Sequence, residues 1–479
     1  MPRSGSVTNS SRSRKSSTRS SSEIRNRNTD GDLCDTLCKS PSPQKNSSTS
    51  RSLESLTQKK KFEFLSQFKR YAMPTIYTAF LIFLPFWSLF YLLNRESSPD
   101  MKKILYSQFP KNYQSYFHCP TITVVFCFIV SNMLFTKLNC LGTRYSITYH
   151  GKKHELSQNG FGVLLISIIL LAFVTFYSIQ MQIVRPDLLI LSNMPTLLMS
   201  CVIACFFLSF FAYFEFNETK LLKMARSKYL DYTLGRDVRP FIFGIDTKVA
   251  TARLSYIIQT LFVGLLVYSE WSEKKRNPIT WFAIARILIL NIDYLLFEHT
   301  MLYSYEFNHA GCGLIYFLEK LVVFPFFFTI NDTFYFKAAL PNATNSDWSH
   351  FIVYFTVFLI GVTIRRIADN QKYLFKSSPT HPMFKGLKVI STSGKKSLFA
   401  DGIWFYARHP NYFGTLIIFI STALPFGFSN LFPWILPAYM MFYLYLRSFE
   451  VENVLKREYT YAYKDYSKVV PSRIVPILL

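Results

Sequence analysis

The sequence predicts an all-α polytopic membrane protein of about ten transmembrane helices behind a disordered basic N-terminal tail. Three observations carry this reading. Half of the 479 residues are hydrophobic, 48 of them Phe, and they fall in long runs that exceed what one soluble core needs. Lys and Arg gather in loops that a ten-span topology places on one side of the bilayer. The first 60 residues, by contrast, are rich in Ser, Arg, Lys and Asn and almost lack aromatics.

The apolar runs place spans near 71–93, 117–136, 161–183, 196–216, 254–270, 280–297, 313–338, 350–366, 411–429 and 431–449. Each is long enough to cross the hydrocarbon core as a helix, which satisfies every backbone group internally. Pro325 sits in the middle of span 313–338 and marks it as a candidate for a broken or re-entrant segment. The last two spans are joined by a short turn at Ser429-Asn430, which leaves the count open by one or two.

Orientation follows from the basic loops. Loop 217–253 carries eight Lys or Arg, from Lys220 to Arg253, and segment 365–408 carries nine, from Arg365 to Arg408. Lys456, Arg457, Lys464, Lys468 and Arg473 follow the last span. Ten spans put all of these, and the basic N-terminus, on the cytoplasmic side. Asn342-Ala-Thr344 then falls in a luminal loop, where a glycosylation sequon can be used. The first apolar run is too long for a signal-peptide core, so no cleaved leader is expected. The 8 Cys are scattered, and the pair Cys34 and Cys38 has no second Cys or His pair to complete a zinc site. Reduced thiols and no metal are expected.

Residues 1–65 read as a separate tail. Such a composition cannot bury enough apolar surface to offset its ordering entropy, so it is expected to be disordered. Through residue 70 the chain has 15 Lys or Arg against 6 Asp or Glu. Between Ser10 and Ser22 serines interleave with Arg12, Arg14, Lys15 and Arg19, and these cations, with Arg25 and Arg27, can pair with nucleic-acid phosphates without reading sequence. Phosphorylation of those serines would cancel the charge. A solvated tail that obeys the positive-inside rule, or rests on anionic lipid, is the competing reading.

The most informative stretch is Gly402-Ile-Trp-Phe-Tyr-Ala-Arg-His-Pro-Asn-Tyr-Phe-Gly414. It gathers Arg408, His409, Asn411 and Tyr412 at the mouth of an apolar span. Cations and hydrogen-bonding groups there are costly unless something polar or anionic binds, such as a charged cofactor or a lipid headgroup. The same residue types also anchor helices at headgroup level, so interfacial anchoring is the competing reading.

Several patterns recur in one order. They are Asp231-Tyr-(two residues)-Gly235-Arg-Asp-Val-Arg-Pro240…Asp246-Thr-Lys248, His309-Ala-Gly-Cys-Gly313, and Asn370-Gln-Lys372-(three residues)-Lys376. Then come Leu387-Lys-Val-Ile390, Gly394-Lys-Lys-Ser-Leu398, Trp404, Arg408-His-Pro-Asn-Tyr412 and Asp465-Tyr466…Pro471-Ser-Arg-Ile-Val-Pro476. From about residue 65 onward the chain resembles the sterol reductase family, which includes delta-14 and delta-7 sterol reductases and the lamin B receptor. The resemblance implies a sterol reductase fold over 66–479. It also implies an NADPH pocket facing the cytoplasm within the C-terminal half, 300–479, and a sterol that enters from the bilayer. Carried over on matching positions, the cofactor residues are Lys372, Lys376, Trp404, Arg408, Asn411 and Tyr412. Lys372 and Lys376 suit phosphate charge, Trp404 suits a flat ring, and Asn411 and Tyr412 suit amide and ribose groups. The catalytic proton donor stays unassigned. Asp293 and Glu298 match family acids, but Asp293 has a structural alternative in pairing with Arg286.

The chain also departs from the family pattern. Thr415, Val451 and Ala310 stand where the family has acids, Arg239-Pro-Phe241 replaces Asn-Pro-Arg, and Ala252 replaces a Glu. A lost partner at a polar site costs about 1–3 kcal/mol. Two readings follow. The favoured one is a lamin B receptor-like protein of the inner nuclear membrane and endoplasmic reticulum, without a Tudor domain. Its tail would bind chromatin, DNA or lamin, its membrane domain would meet lipid and sterol, and its catalysis would be weak or lost. The other is an active NADPH-dependent delta-14 sterol reductase of the endoplasmic reticulum.

Overall fold

A computed structural model describes residues 71–88, 113–138, 142–149, 152–182, 193–215, 227–271, 278–332, 348–391, 397–428 and 431–476. All of them belong to one compact unit, Phe64–Leu479. Arg12, Arg14, Lys15, Arg19, Arg25 and Arg27, the Asn342 sequon and the turn at Ser429-Asn430 lie outside the described residues.

The long helices are α1 (Tyr71–Ser88), α2 (Cys119–Phe135), α3 (Gly160–Gln180), α4 (Met194–Phe214), α5 (Thr247–Trp271) and α6 (Pro278–Leu296). They continue with α7 (Leu314–Asp332), α8 (Trp348–Ser377), α9 (Pro410–Ala423) and α10 (Ile435–Val469). Among the described residues, six of these are long and apolar enough to cross a membrane: α1, α2, α3, α4, α7 and α8. Proline stands in the first turn of α2, α4 and α9, where its missing N–H has no intrahelical partner to lose and its fixed φ suits a helix. The outward faces of α3 and α4 expose Ile169, Phe173, Phe176, Phe207, Phe210 and Phe214, an apolar surface suited to lipid rather than water.

The centre of the unit is α7, whose apolar stretch is 72% buried against 22% for α2 and for α3. It is not broken at Pro325, contrary to the expectation. The helix instead widens into π-helical turns over Glu319–Phe327, so the proline, which has no N–H to donate, fits without interrupting the span. One turn further on, Thr329 Oγ1 donates to the Pro325 carbonyl at 2.7 Å.

The architecture is mostly helical but not purely so. Among the described residues, three two-stranded antiparallel hairpins join the helices: β1–β2 (Thr143–Tyr149 with Lys152–Gln158), β3–β4 (Phe241–Ile242 with Ile245–Asp246) and β5–β6 (Val389–Ser391 with Ser397–Phe399). Hydropathy over a span-length window does not register such short polar elements. A buried network ties the end of β1–β2 to the helices: Arg253 donates to Glu298 at 2.6 and 2.8 Å, to Asn159 Oδ1 at 2.8 Å and to the Ser157 carbonyl.

Two glycine contacts position the later elements. At Gly235, where φ is +93°, a β-carbon would come within 2.4 Å of Cys312 N, so the turn after Lys228–Leu234 can lie flat on the Gly311–Gly313 loop. A β-carbon on Gly414 would lie 2.7 Å from Gly361 O and from Arg365 N. Helices α8 and α9 therefore touch backbone to backbone, which brings the basic end of one beside the Asn-Tyr start of the other.

Candidate functional site

Helix α8 continues well beyond its apolar part, so Lys372 and Lys376, one turn apart, project from its final turns. Lys376 Nζ reaches Tyr459 Oη at 2.5 Å, whereas Lys372 makes no hydrogen bond or ion pair among the described residues. Next come β5–β6 and a single 3₁₀ turn, Gly402–Phe405. Asp401 caps that turn: one carboxylate oxygen accepts from Gly402 N at 2.7 Å and the other from Lys388 N at 2.9 Å. These amides hold its carboxyl below the ordinary range although it is exposed. The turn presents Trp404, whose indole donates to the Ala368 carbonyl at 3.3 Å and is thereby fixed against α8.

Arg408 is a joint. Its guanidinium donates to Glu452 at 2.8 Å, to Tyr463 Oη at 3.1 Å and to the Pro471 carbonyl at 2.8 Å. Glu452 is buried and also accepts from Arg473 at 3.0 and 3.1 Å. The backbone joins in, with Arg408 N donating to Ser472 O and His409 N to Arg473 O, both at 2.9 Å. The C-terminal segment is thus laced to the start of α9.

His409 precedes α9 and stacks on Tyr412, with ring centroids 5.0 Å apart. Burial, reinforced by Lys372, Arg408 and Arg473, pushes its imidazole down to about 3, so it is neutral at pH 7. Glu452 lies 3.9 Å away, but Arg408 and Arg473 share that carboxylate and offset its pull. Asn411 donates from Nδ2 to Asp369 at 3.2 Å, and its Oδ1 is buried without a hydrogen-bond partner among the described residues.

All six residues expected from the sequence, Lys372, Lys376, Trp404, Arg408, Asn411 and Tyr412, line one cavity of about 260 Å³. The sequence reading missed Glu306, Tyr443, Arg447 and Tyr466, which complete its wall, and did not place His409 among the binding residues. Arg447 carried a usable signal, because a cation inside an apolar run is by default a functional candidate. It pairs with Glu450 at 2.9 Å and lies over the Tyr305 ring. Burial pushes the Glu306 carboxyl up, but Lys320, at 2.8 Å, and Arg447 outweigh it and hold the group below the ordinary range. Four cations therefore face one ionised carboxylate across this cavity.

A second cavity of about 230 Å³ shares Glu306 and Tyr443 with the first and extends between α5, α6, α7, α8, α9 and α10. Thr415 lines it, but its hydroxyl turns back to the Asn411 carbonyl at 2.9 Å. Lys248 donates to the Glu306 and Ala310 carbonyls, which fixes the loop carrying Glu306.

The two acids singled out from the sequence lie elsewhere. Glu298 is held by Arg253, and Asp293 does not pair with Arg286. It is gripped by Arg365 at 2.8 Å and Arg366 at 2.9 Å, because α8 brings two guanidiniums to it. Arg286 pairs instead with Asp332 at the end of α7.

The sequence pattern of the ergosterol biosynthesis ERG4/ERG24 family matches residues 68–479. The chain belongs to that family. It is therefore a membrane protein of the sterol reductase type, consistent with its apolar outer faces. Among curated relatives, it is 28% identical to the delta(14)-sterol reductase TM7SF2 of Mus musculus over 51% of this chain and 58% of that protein. It is 28% identical to the delta(14)-sterol reductase LBR of Gallus gallus over 53% of this chain and 40% of that protein. With the lamin-B receptor of Drosophila melanogaster the figures are 23% identity, 52% of this chain and 36% of that protein. The chain thus spans well under two thirds of the length of these relatives. ERG4/ERG24 membership covers both cavities, since all the residues that line them fall within 68–479.

Proposed function

We propose that this ERG4/ERG24 protein is a lamin B receptor-like membrane protein of the nuclear envelope and endoplasmic reticulum. Its membrane domain binds NADPH in the first cavity and a sterol in the second, with delta-14 reduction weak or absent. The observation that carries the proposal is the convergence of six motif residues on one cationic, aromatic cavity that shares a wall with a second cavity.

The residues suit an anionic dinucleotide. Lys372 makes no hydrogen bond among the described residues although Asp369 lies near it, Arg447 adds charge, and the free Asn411 Oδ1 can accept from an amide. Trp404 offers a ring face while its N–H is occupied, and neutral His409 supports the Tyr412 ring by stacking. When bound, NADPH supplies a hydride. A protein group must then give a proton to the neighbouring carbon. Thr415 cannot act as an acid there, which is the ground for expecting weak catalysis. Glu306 is ionised beside Lys320, so it orients rather than donates.

One observation favours an active enzyme instead: Tyr443 lines both cavities and carries a hydroxyl that could serve as the donor. NADPH titration of the purified full chain, together with complementation of cells lacking delta-14 reductase, separates the two readings. Binding with poor clearance of the delta-14 intermediate is expected. Full clearance at ordinary expression would establish the reductase, and no NADPH binding would remove the cofactor assignment.

A further inference from the structure

Two buried polar residues that line the second cavity carry atoms without partners. Arg286 and Asn291 of α6 line it, 2% and 0% exposed. Arg286 pairs with the fully buried Asp332, yet its Nε and the Asp332 Oδ1 lack hydrogen-bond partners among the described residues. Asn291 Nδ2 donates to Thr260 Oγ1 at 2.8 Å and to the Tyr256 carbonyl at 3.3 Å, which orients the amide and leaves Oδ1 without a donor. Unmade hydrogen bonds on buried groups are costly, so several in one place point to an occupant that satisfies them.

The balance of these groups defines that occupant. On the cavity wall one N–H donor, Arg286 Nε, stands with one acceptor, Asn291 Oδ1. A hydroxyl both donates and accepts, whereas a ketone or an ether only accepts and an ammonium only donates. A carboxylate would bring a second negative charge beside Asp332, and an ammonium would bring a cation beside Arg286. A neutral hydroxyl on an apolar body meets neither objection.

Its location is equally defined. Asn331, next to Asp332, donates to Thr422 Oγ1 at 2.8 Å and to the Pro433 carbonyl at 3.0 Å, at the end of α9 remote from the first cavity. From Asn411 to Thr422 the helix rises roughly 16 Å at about 1.5 Å per residue. A ligand hydroxyl at Arg286 therefore directs the opposite end of its skeleton toward Glu306 and Tyr443, the wall shared with the first cavity.

We propose that Arg286 and Asn291 form a hydroxyl-recognising subsite, with Asp332 holding the guanidinium from behind, that sets the direction in which a hydroxylated, neutral hydrophobe lies in the second cavity. This rests on the reading of that cavity as a sterol site. The test is competition binding on the purified full chain in nanodiscs with cholesterol, its 3-O-methyl ether and its 3-keto analogue. Cholesterol should bind about tenfold or more tightly than either analogue, because neither can donate. In Asn291→Leu the preference should shrink to under about threefold while affinity for the ether is retained. The comparison of ligands on the unaltered protein stands even if that variant does not fold. Equal binding of all three by the unaltered protein would overturn the subsite and mean that buried water satisfies these groups. Binding of none would overturn the sterol reading itself.

Discussion

Replacing Glu452 with alanine removes the carboxylate that joins α10, the C-terminal segment and the start of α9. Glu452 is 1% exposed and accepts from Arg408 at 2.8 Å and from Arg473 at 3.0 and 3.1 Å. Breaking a buried ion pair from one side costs about 3–5 kcal/mol, because the remaining charge is left without compensation. Here the Arg473 side chain is 25% exposed and Arg408 13%, so water recovers part of that loss and the lower end, about 3 kcal/mol, is expected. Glu452→Gln keeps an acceptor and should cost about 1–2 kcal/mol. The assay is denaturant unfolding of the purified full chain in detergent, run beside an NADPH titration. Alanine should lower the unfolding midpoint more than glutamine. Both should weaken NADPH binding, since Arg408, which lines the first cavity, loses the carboxylate that positions it. A midpoint and an affinity both unchanged in Glu452→Ala would show that the guanidiniums are solvated without it, and the joint would lose its role.

Further outcomes are expected from the same geometry. Lys372→Gln or Asn411→Ala should each weaken NADPH binding by about tenfold or more, measured by titration, if a charge-assisted or amide contact is lost. His409 is held at about 3 in the folded chain, against an ordinary value of about 6.5, so its contribution is complete above pH 6.5 and is lost as pH falls toward 3. Unfolding midpoints between pH 7 and 5 should therefore fall in the unaltered protein, by up to about 1.4 kcal/mol per pH unit from this group, and fall less in His409→Gln. Gly414→Leu should separate α8 from α9, because even its β-carbon would stand 2.7 Å from Gly361 O, and circular dichroism melts together with NADPH titration should both register the loss. The tail 1–60 should bind DNA with steep salt dependence, less tightly when its serines are phosphorylated, and its deletion should release the protein from the nuclear rim in cell imaging.

The apolar runs were legible one by one in the sequence. A bilayer forces each into a helix that satisfies its own backbone, so composition alone locates it. The ordered motifs from Asp231 to Pro476 were legible too, and they placed six side chains that the fold gathers into one cavity. What the sequence could not supply was the pairing of charges. Asp293 has Arg286 seven residues before it on its own helix, yet α8 delivers Arg365 and Arg366, and Arg286 turns to Asp332. Such partners are chosen by which helices touch, and that depends on contacts such as Gly361 against Gly414. The burial of His409 was hidden for the same reason, since nothing local shows that this histidine is packed away beside three cations and so stays neutral at acidic pH as well. The second cavity was invisible as well, because its walls come from six helices far apart along the chain. Local physics therefore determined the spans, and the ordered motifs marked six residues of the first cavity, whereas the ion pairs, the protonation state and the shared wall at Glu306 and Tyr443 were decided by long-range packing.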